Sequence, residues 1–304
     1  MFTSLKAVIA AEIIFLNFIF SSIGNAMGQD KTETLMRSEH VEKSLGLSEL
    51  DQEYSTGFTD LLEFVYGESF LSQGGIECVD LLFKGQDLTG KKVLDIGSGL
   101  GGVDFYLAET RKVDLIGIDR VSRLVDEANR RKAHRKLLGQ LSFLQQKTES
   151  LLSQFENNSF DIVFSKESLM HVADKQSLLR EILRVLRPGG RFIILDWTTD
   201  SKELGPSIAE MVKVDGLDLS MGITGEYQKF VNDLFKQVSF ANLNSNYVRY
   251  TSENMDFIRS NQNEIKKRFG EDTYSYSLRS WTLQKKMFEN REVNLTLMSG
   301  TKAE

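Results

Sequence analysis

Three glycines recur at alternate positions in Asp95-Ile96-Gly97-Ser98-Gly99-Leu100-Gly101, between an apolar run that ends at Ile96 and a segment of helical pattern. Backbone without a Cβ lets a ligand approach more closely than any side-chain-bearing turn allows, so the segment reads as a nucleotide-binding turn. Gly97, Gly99 and Gly102 also satisfy the spacing with which dinucleotide enzymes seat a pyrophosphate on a helix N-terminus. Asp95 tilts the choice. A carboxylate just ahead of the glycines repels a pyrophosphate and suits a ligand that carries an ammonium and a sulfonium. Asp119 follows about twenty residues beyond the loop, where its carboxylate can accept hydrogen bonds from both hydroxyls of a ribose. Both cofactor classes carry that ribose. These residues favour an aminoacid-sulfonium nucleoside and leave a dinucleotide as the alternative.

A second group could move a proton. His171 closes the run Phe164-Ser165-Lys166-Glu167-Ser168-Leu169-Met170-His171, and an imidazole that titrates near neutrality suits the deprotonation of an amine. A cap ahead of the helix that starts near Asp174 is the structural alternative for it. His40, His134 and His171 show no metal-ligand spacing, and Cys78 is the single cysteine, so neither a metal site nor an intrachain disulfide is expected. The 304 residues are 41% hydrophobic and 26% charged, as in a folded globular chain, with room for a core domain and a second subdomain. A net charge of −6 supplies no general basic field for nucleic acid, which favours a small-molecule partner.

The elements that must hold these residues alternate. Val93–Ile96 reads as a buried strand, Gly101–Glu109 as a helix and Val113–Ile118 as a second strand, a βαβ unit that implies a parallel sheet. A helix over Ser122–Leu137, a strand near Leu141–Leu144, the strand Phe160–Ser165, a helix from Lys175 to Leu186 and the strand Arg191–Asp196 continue it. Pro188-Gly189-Gly190 marks a turn before that last strand. Thr198 to Ile223 breaks the rhythm as an inserted lid or acceptor-binding segment would. A helix over Gly225–Phe235, a strand around Asn244–Tyr250, charged helical sequence over Glu253–Asn290 and a β-type run at Val293–Met298 complete the chain. A helical preface covers Val41 to Gly75. Residues 1–26 are apolar and signal-like, and read as a cleaved export signal, a retained membrane anchor, or sequence upstream of a start at Met27. The expected division is a leader over 1–26, a helical cap over 27–80, a cofactor-binding core over 81–200 and a lid with the remaining strands over 201–304.

This order of signals resembles a class I methyltransferase and, more narrowly, the phosphoethanolamine N-methyltransferase family. Glu53-Tyr54 and the segment Leu62-Glu63-Phe64-Val65-Tyr66-Gly67-Glu68-Ser69-Phe70-Leu71-Ser72-Gln73-Gly74-Gly75 look like that family's tyrosine helix and the glycine-rich stretch after it. Phe164 to His171 is similar to its stretch after the fourth strand. The resemblance implies an α/β Rossmann-like class I methyltransferase fold, with a mostly parallel sheet, an antiparallel last strand and helices on both faces. It implies S-adenosyl-L-methionine as cofactor, bound by Gln73, Gly74, Asp95, Gly97, Ser98, Gly99, Gly101, Asp119, Arg120, Glu149 and Lys166. Tyr54 and His171 take the place of the family's pair that closes over the cofactor and handles the acceptor's proton. Glu167 and Trp197 fall on the acceptor side.

The likeness is thinnest at the acceptor. The family holds a phosphate with tyrosine, arginine and lysine, whereas the matching stretch here is Glu210-Met211-Val212-Lys213-Val214-Asp215-Gly216-Leu217, and Gln284 stands near the late lysine. Lys213, Arg279, Lys285 and Lys286 are the cations that could compensate. A phosphate site is cationic. An acid and an indole still suit an ammonium. The chain therefore reads as a cytoplasmic methyltransferase of a small amine, phosphoethanolamine-like or non-phosphorylated. A nicotinamide-dependent oxidoreductase, a methyltransferase of another small-molecule O, C or S acceptor, and a regulatory module that keeps the cofactor loop without the reaction are the alternatives.

Overall fold

A computed structural model of the chain describes residues 54–146, 152–215 and 219–304, without the side chain of Asp215. The signal-like leader, the helical preface up to residue 53 and Glu149 lie outside the described residues. Two compact units meet between Asp60 and Leu61, within helix α1 (Thr56–Tyr66). The sheet and the helices below belong to the second.

After α1 come α2 (Gly75–Leu82), β1 (Lys92–Ile96), α3 (Gly102–Thr110), β2 (Asp114–Asp119), α4 (Ser122–Lys132), β3 (Gln140–Gln145) and β4 (Phe160–Lys166). A 3-10 turn, Leu169–His171, leads to α5 (Lys175–Val185), β5 (Leu186–Thr199), α6 (Pro206–Asp215), β6 (Gly222–Ile223) and α7 (Thr224–Leu234). The chain ends with β7 (Lys236–Asn242), α8 (Asn244–Ser260), α9 (Gln262–Phe269), α10 (Glu271–Glu289) and β8 (Asn294–Thr301). The strands lie in the order β3-β2-β1-β4-β5-β8-β7, with β6 paired to β5 off that path. Strands β1 to β5 are parallel, and β8 runs antiparallel to both β5 and β7.

Both faces of the central strands are buried, and side chains alternate between two cores as a two-residue period requires. Ile193, Leu195 and Trp197 of β5 enter one core with α2, α3 and α10, while Phe192 and Ile194 enter the other with α5 and α7. Strand order reverses between β1 and β4, so the crevice at the carboxyl ends of the strands opens where β1 and β4 end, which is where such sheets bind ligands.

Three sequence expectations are corrected. Asn244–Tyr250 is the start of the long helix α8, and the neighbouring strand is β7, over Lys236–Asn242. Tyr247, Tyr250, Thr251, Met255 and Ile258 recur at helical spacing and are buried together, while β7 is an edge strand with mostly exposed side chains and so a weak signal. Asn244 secures the junction, donating from Nδ2 to the carbonyls of Phe288 and Val293 at 3.0 Å and accepting from Leu295 N at 2.8 Å. Helix α4 stops at Lys132, because the chain tightens into three-residue turns at His134 and Arg135 and Leu138 N turns to Ala108 O. Pro188-Gly189-Gly190 is absorbed within β5 as an irregularity, where the pairing with β4 jumps from Phe160–Leu186 to Ile162–Arg191 and Gly189 takes φ +72°.

Candidate active site

The glycine loop crosses from β1 to α3 with Gly97, Gly99 and Gly101 all at positive φ (86°, 55° and 84°). Gly97 and Ser98 donate to the Ile118 carbonyl at 2.8 and 3.0 Å, which ties the loop to β2. A Cβ on Gly97 would stand 1.8 Å from Ser168 Oγ, so both dihedral and space demand glycine there. Gly101 precedes α3 with no side-chain cap, and Gly102 N at the head of the helix donates to the Ser69 carbonyl at 3.1 Å. Asp119 holds this geometry from the end of β2: one carboxylate oxygen accepts Gly99 N at 2.8 Å and the other accepts Val121 N at 2.9 Å. Burial pushes its carboxyl up, against the pull of those backbone donors. Arg120, next along, is exposed, and its carbonyl accepts from Gln145.

Asp95 is 3% exposed at the end of β1, and its Oδ1 has no hydrogen-bond partner. Ser98 Oγ is likewise buried without one. Burial, with Asp104 and Asp119 nearby, pushes the Asp95 carboxyl well above the usual carboxylate range. A buried acceptor without a donor costs about 1–3 kcal/mol, and that cost is recovered when a donor enters. A glycine cradle with unanswered acceptors fits a nucleoside that bears an ammonium group. S-adenosylmethionine is such a compound, and Gly97, Ser98, Gly99, Gly101, Asp95 and Asp119 are the residues that would hold it.

Across the crevice, β4 ends at Lys166 and Glu167 follows it; their side chains are each 3% exposed and their ion pair is 2.9 Å long. Lys166 Nζ also donates to Ser72 Oγ and, at 2.9 Å, to the Gln73 carbonyl. Burial works to lower the Lys166 ammonium, and Glu167, Cys78 and Asp95 carry it above its ordinary value instead. Glu167 sits at φ +53°, and its other oxygen accepts Trp197 Nε1 at 3.1 Å. Gln73 bridges the cluster to the C-terminal helices, donating to Gln284 at 2.8 Å and accepting from Thr251 and Asn254. Gly74, at φ +86°, has no room for a Cβ, which would fall 2.7 Å from both Cys78 and Tyr250. Trp197 packs edge-to-face on Tyr247 and Phe288. Its ring therefore serves the core, and its N–H orients Glu167. Burial pushes the Cys78 thiol up to about 11, which keeps it an inert core residue.

His171 ends the 3-10 turn after β4, half-buried, with its N–H on the Ser168 carbonyl. The cap of α5 is Asp174, which accepts Ser177 N at 2.9 Å, so His171 is not needed for capping. Two residues that sequence reasoning missed fix the turn. Asp196, buried within β5, accepts Met170 N at 3.2 Å, and the half-buried Lys175 donates from Nζ to the carbonyls of Leu169 and Val172. Burial pushes Asp196 up to about 7 and Lys175 down to about 8, each opposed by the other's charge. Their signal in the sequence was a lone acid in a strand and a lysine in an amphipathic helix, neither of which points to His171. The structure thus groups Asp95, the glycines, Ser98 and Asp119 in one cluster, and Gln73, Gly74, Lys166, Glu167 and Trp197 in another. Tyr54 lies in the turn before α1, in the first compact unit. Among the described residues no cluster of His, Cys, Asp or Glu could hold a metal ion, and no helix is long and apolar enough to cross a membrane.

A methyltransferase domain family matches residues 87–232. The phosphoethanolamine N-methyltransferase of Triticum aestivum is 30% identical over 245 residues, covering 79% of this chain and 47% of its own length. That of Plasmodium falciparum is 31% identical over 156 residues, 50% of this chain and 57% of its own. The chain spans about half the length of such curated relatives. Among solved structures, Haemonchus contortus phosphoethanolamine N-methyltransferase 2, in complex with phosphomonomethylethanolamine and S-adenosylhomocysteine, shares the fold with a TM-score of 0.75. It is 22% identical, over 84% of this chain and 60% of that one.

Proposed function

Because this chain carries a class I S-adenosylmethionine-dependent methyltransferase domain resembling the phosphoethanolamine N-methyltransferases, we propose that it methylates the nitrogen of a small amine in the cytoplasm. The observation that carries the reading is the glycine cradle with Asp95 buried and unanswered beneath it. S-adenosylmethionine, when bound, supplies a methyl group on a sulfonium. Bound there, it would give up that methyl group to the nitrogen lone pair and leave as the neutral sulfide. Such an in-line displacement gains chiefly from positioning. Asp119 holds the loop at the ribose, Asp95 faces the ammonium of the amino-acid arm, and His171 takes the proton that the acceptor must lose to expose its lone pair. By the family resemblance, Tyr54 is the second candidate for handling the acceptor's proton.

The relatives favour a phosphoethanolamine-type acceptor, and one observation favours a non-phosphorylated amine. Lys166 is committed to Glu167, Ser72 and Gln73. Gln284 is bonded to Gln73 and Tyr247, and Lys213 and Lys286 are exposed. Arg279 and Lys285 pair with Glu210 and Glu289. Of the cations that could answer a phosphate dianion, Lys166, Arg279 and Lys285 are thus paired with acids, which leaves the exposed Lys213 and Lys286. The test is an acceptor screen with purified protein, read as S-adenosylhomocysteine release, comparing phosphoethanolamine with ethanolamine and small amino acids. Turnover of ethanolamine or an amino acid well above phosphoethanolamine supports the second reading, and the reverse order supports the first. Tight NAD binding with no S-adenosylmethionine binding would overturn both.

A further inference from the structure

Beneath the glycine loop lies a carboxyl group that the reaction does not call for. Asp104 stands in the first turn of α3, where an acid ordinarily reaches solvent or caps the helix. Here it is 0% exposed, and neither carboxylate oxygen accepts a hydrogen bond from another residue's donor. It lies within hydrogen-bonding reach of Asp95 instead. Two ionised carboxyls in contact away from water repel each other strongly, which favours a single proton shared between them. The charged groups that face the pair are Asp119 from β2, which adds negative charge, and Lys166 from β4, whose ammonium is held by Glu167. Three acids thus surround the floor of the loop, with one committed cation. Burial first, and Asp119 next among the raising influences, push Asp104 up to about 7, while its bond to Asp95 opposes them.

We propose that Asp104 is a positioning residue of the cofactor site, sharing one proton with Asp95 in the free protein and releasing it when the ammonium of the cofactor's amino-acid arm binds. The inference rests on the cofactor assignment above. The balance is simple: the protonated pair and the ammonium ligand go to an ionised pair that holds the ammonium, and one proton goes to solvent. Binding of an aminoacid nucleoside is then weaker where the pair keeps its proton and tightens as pH rises from 6 to 8. A nucleoside without the arm meets no such competition. In D104N the amide donates to Asp95 and holds it ionised, so the dependence disappears.

The experiment is calorimetric titration of the full chain with S-adenosylhomocysteine and with 5′-methylthioadenosine, which lacks the amino-acid arm, at pH 6, 7 and 8. At pH 7 it is repeated in buffers of different ionisation enthalpy. The expected result is an S-adenosylhomocysteine affinity about tenfold weaker at pH 6 than at pH 8, with proton release at pH 7. Methylthioadenosine should change less than twofold and release none, and D104N should be nearly flat for both. The contrast between the two ligands in the unaltered protein needs no variant to fold. Equal slopes for both ligands, or an unchanged slope in D104N, would overturn the inference while leaving the cofactor assignment standing. No binding of S-adenosylhomocysteine at any pH would instead overturn that assignment and the inference with it.

Discussion

Under the glycine loop, Asp95 Oδ1, Ser98 Oγ and both oxygens of Asp104 are buried without donors. Across the crevice, Lys166 has three partners, both oxygens of Glu167 are engaged, and both ends of the Gln73 amide are bonded. One region is left incomplete and the other is closed on itself. An unanswered buried polar group is a standing cost that a ligand can remove, whereas a satisfied network gains nothing by rearranging. The first region therefore has the character of a receptor, and the second that of a rigid wall.

The comparison breaks most readily at its hinge, the turn that carries His171 between the two regions. His171→Ala should lower kcat by about 10²–10⁴ while leaving S-adenosylhomocysteine affinity within about twofold, as a proton acceptor would. Steady-state rates and titration together check this, and equal losses in both would place His171 in binding instead. On the closed side, Lys166→Met leaves Glu167 buried without its cation and should cost about 3–5 kcal/mol in denaturant unfolding. The double variant with Glu167→Gln should recover part of that loss, and a double variant no more stable than the single would show that the network is not held by the pair. On the open side, Gly97→Ala forces a positive φ and a contact with Ser168, at a cost of about 1–3 kcal/mol. Its larger signature is loss of S-adenosylhomocysteine binding in the same titration.

Smaller is the term from Asp196. Its carboxyl is raised to about 7 in the fold against about 3.9 in the unfolded chain, so the native state holds the extra proton. That contribution favours folding at low pH and is lost as pH rises from about 4 to about 7. Asp196→Asn keeps an acceptor for Met170 N and should flatten that part of the stability profile. Least of all, Arg187→Ala removes an exposed ion pair with Asp161 and should change stability by no more than about 1 kcal/mol.

The loop and the alternation of strands and helices were legible because each is written within a few residues. Three glycines and an acid in seven positions demand a close backbone turn, and β1, α3 and β2 follow within one residue of the expected bounds. The strand β7 was not legible, since an edge strand buries too little to impose a pattern, while Tyr247, Val248 and Tyr250 carry β-type residues into a helix that tertiary packing stabilises. Asp104 was missed for a subtler reason. Its distance to Asp95 is short in sequence, but its meaning depends on the helix register that turns it inward.

The sequence by itself determined the nucleotide site and the parallel sheet, because backbone dihedrals and hydrophobic period are local properties. Only the tertiary structure decided that Gln73, Lys166, Trp197 and Gln284 meet, that Asp196 and Lys175 anchor the turn of His171, and that Asp95 shares its burial with a second acid. Those outcomes depend on which side chains remain in water, and burial is set by the packing of segments far apart along the chain.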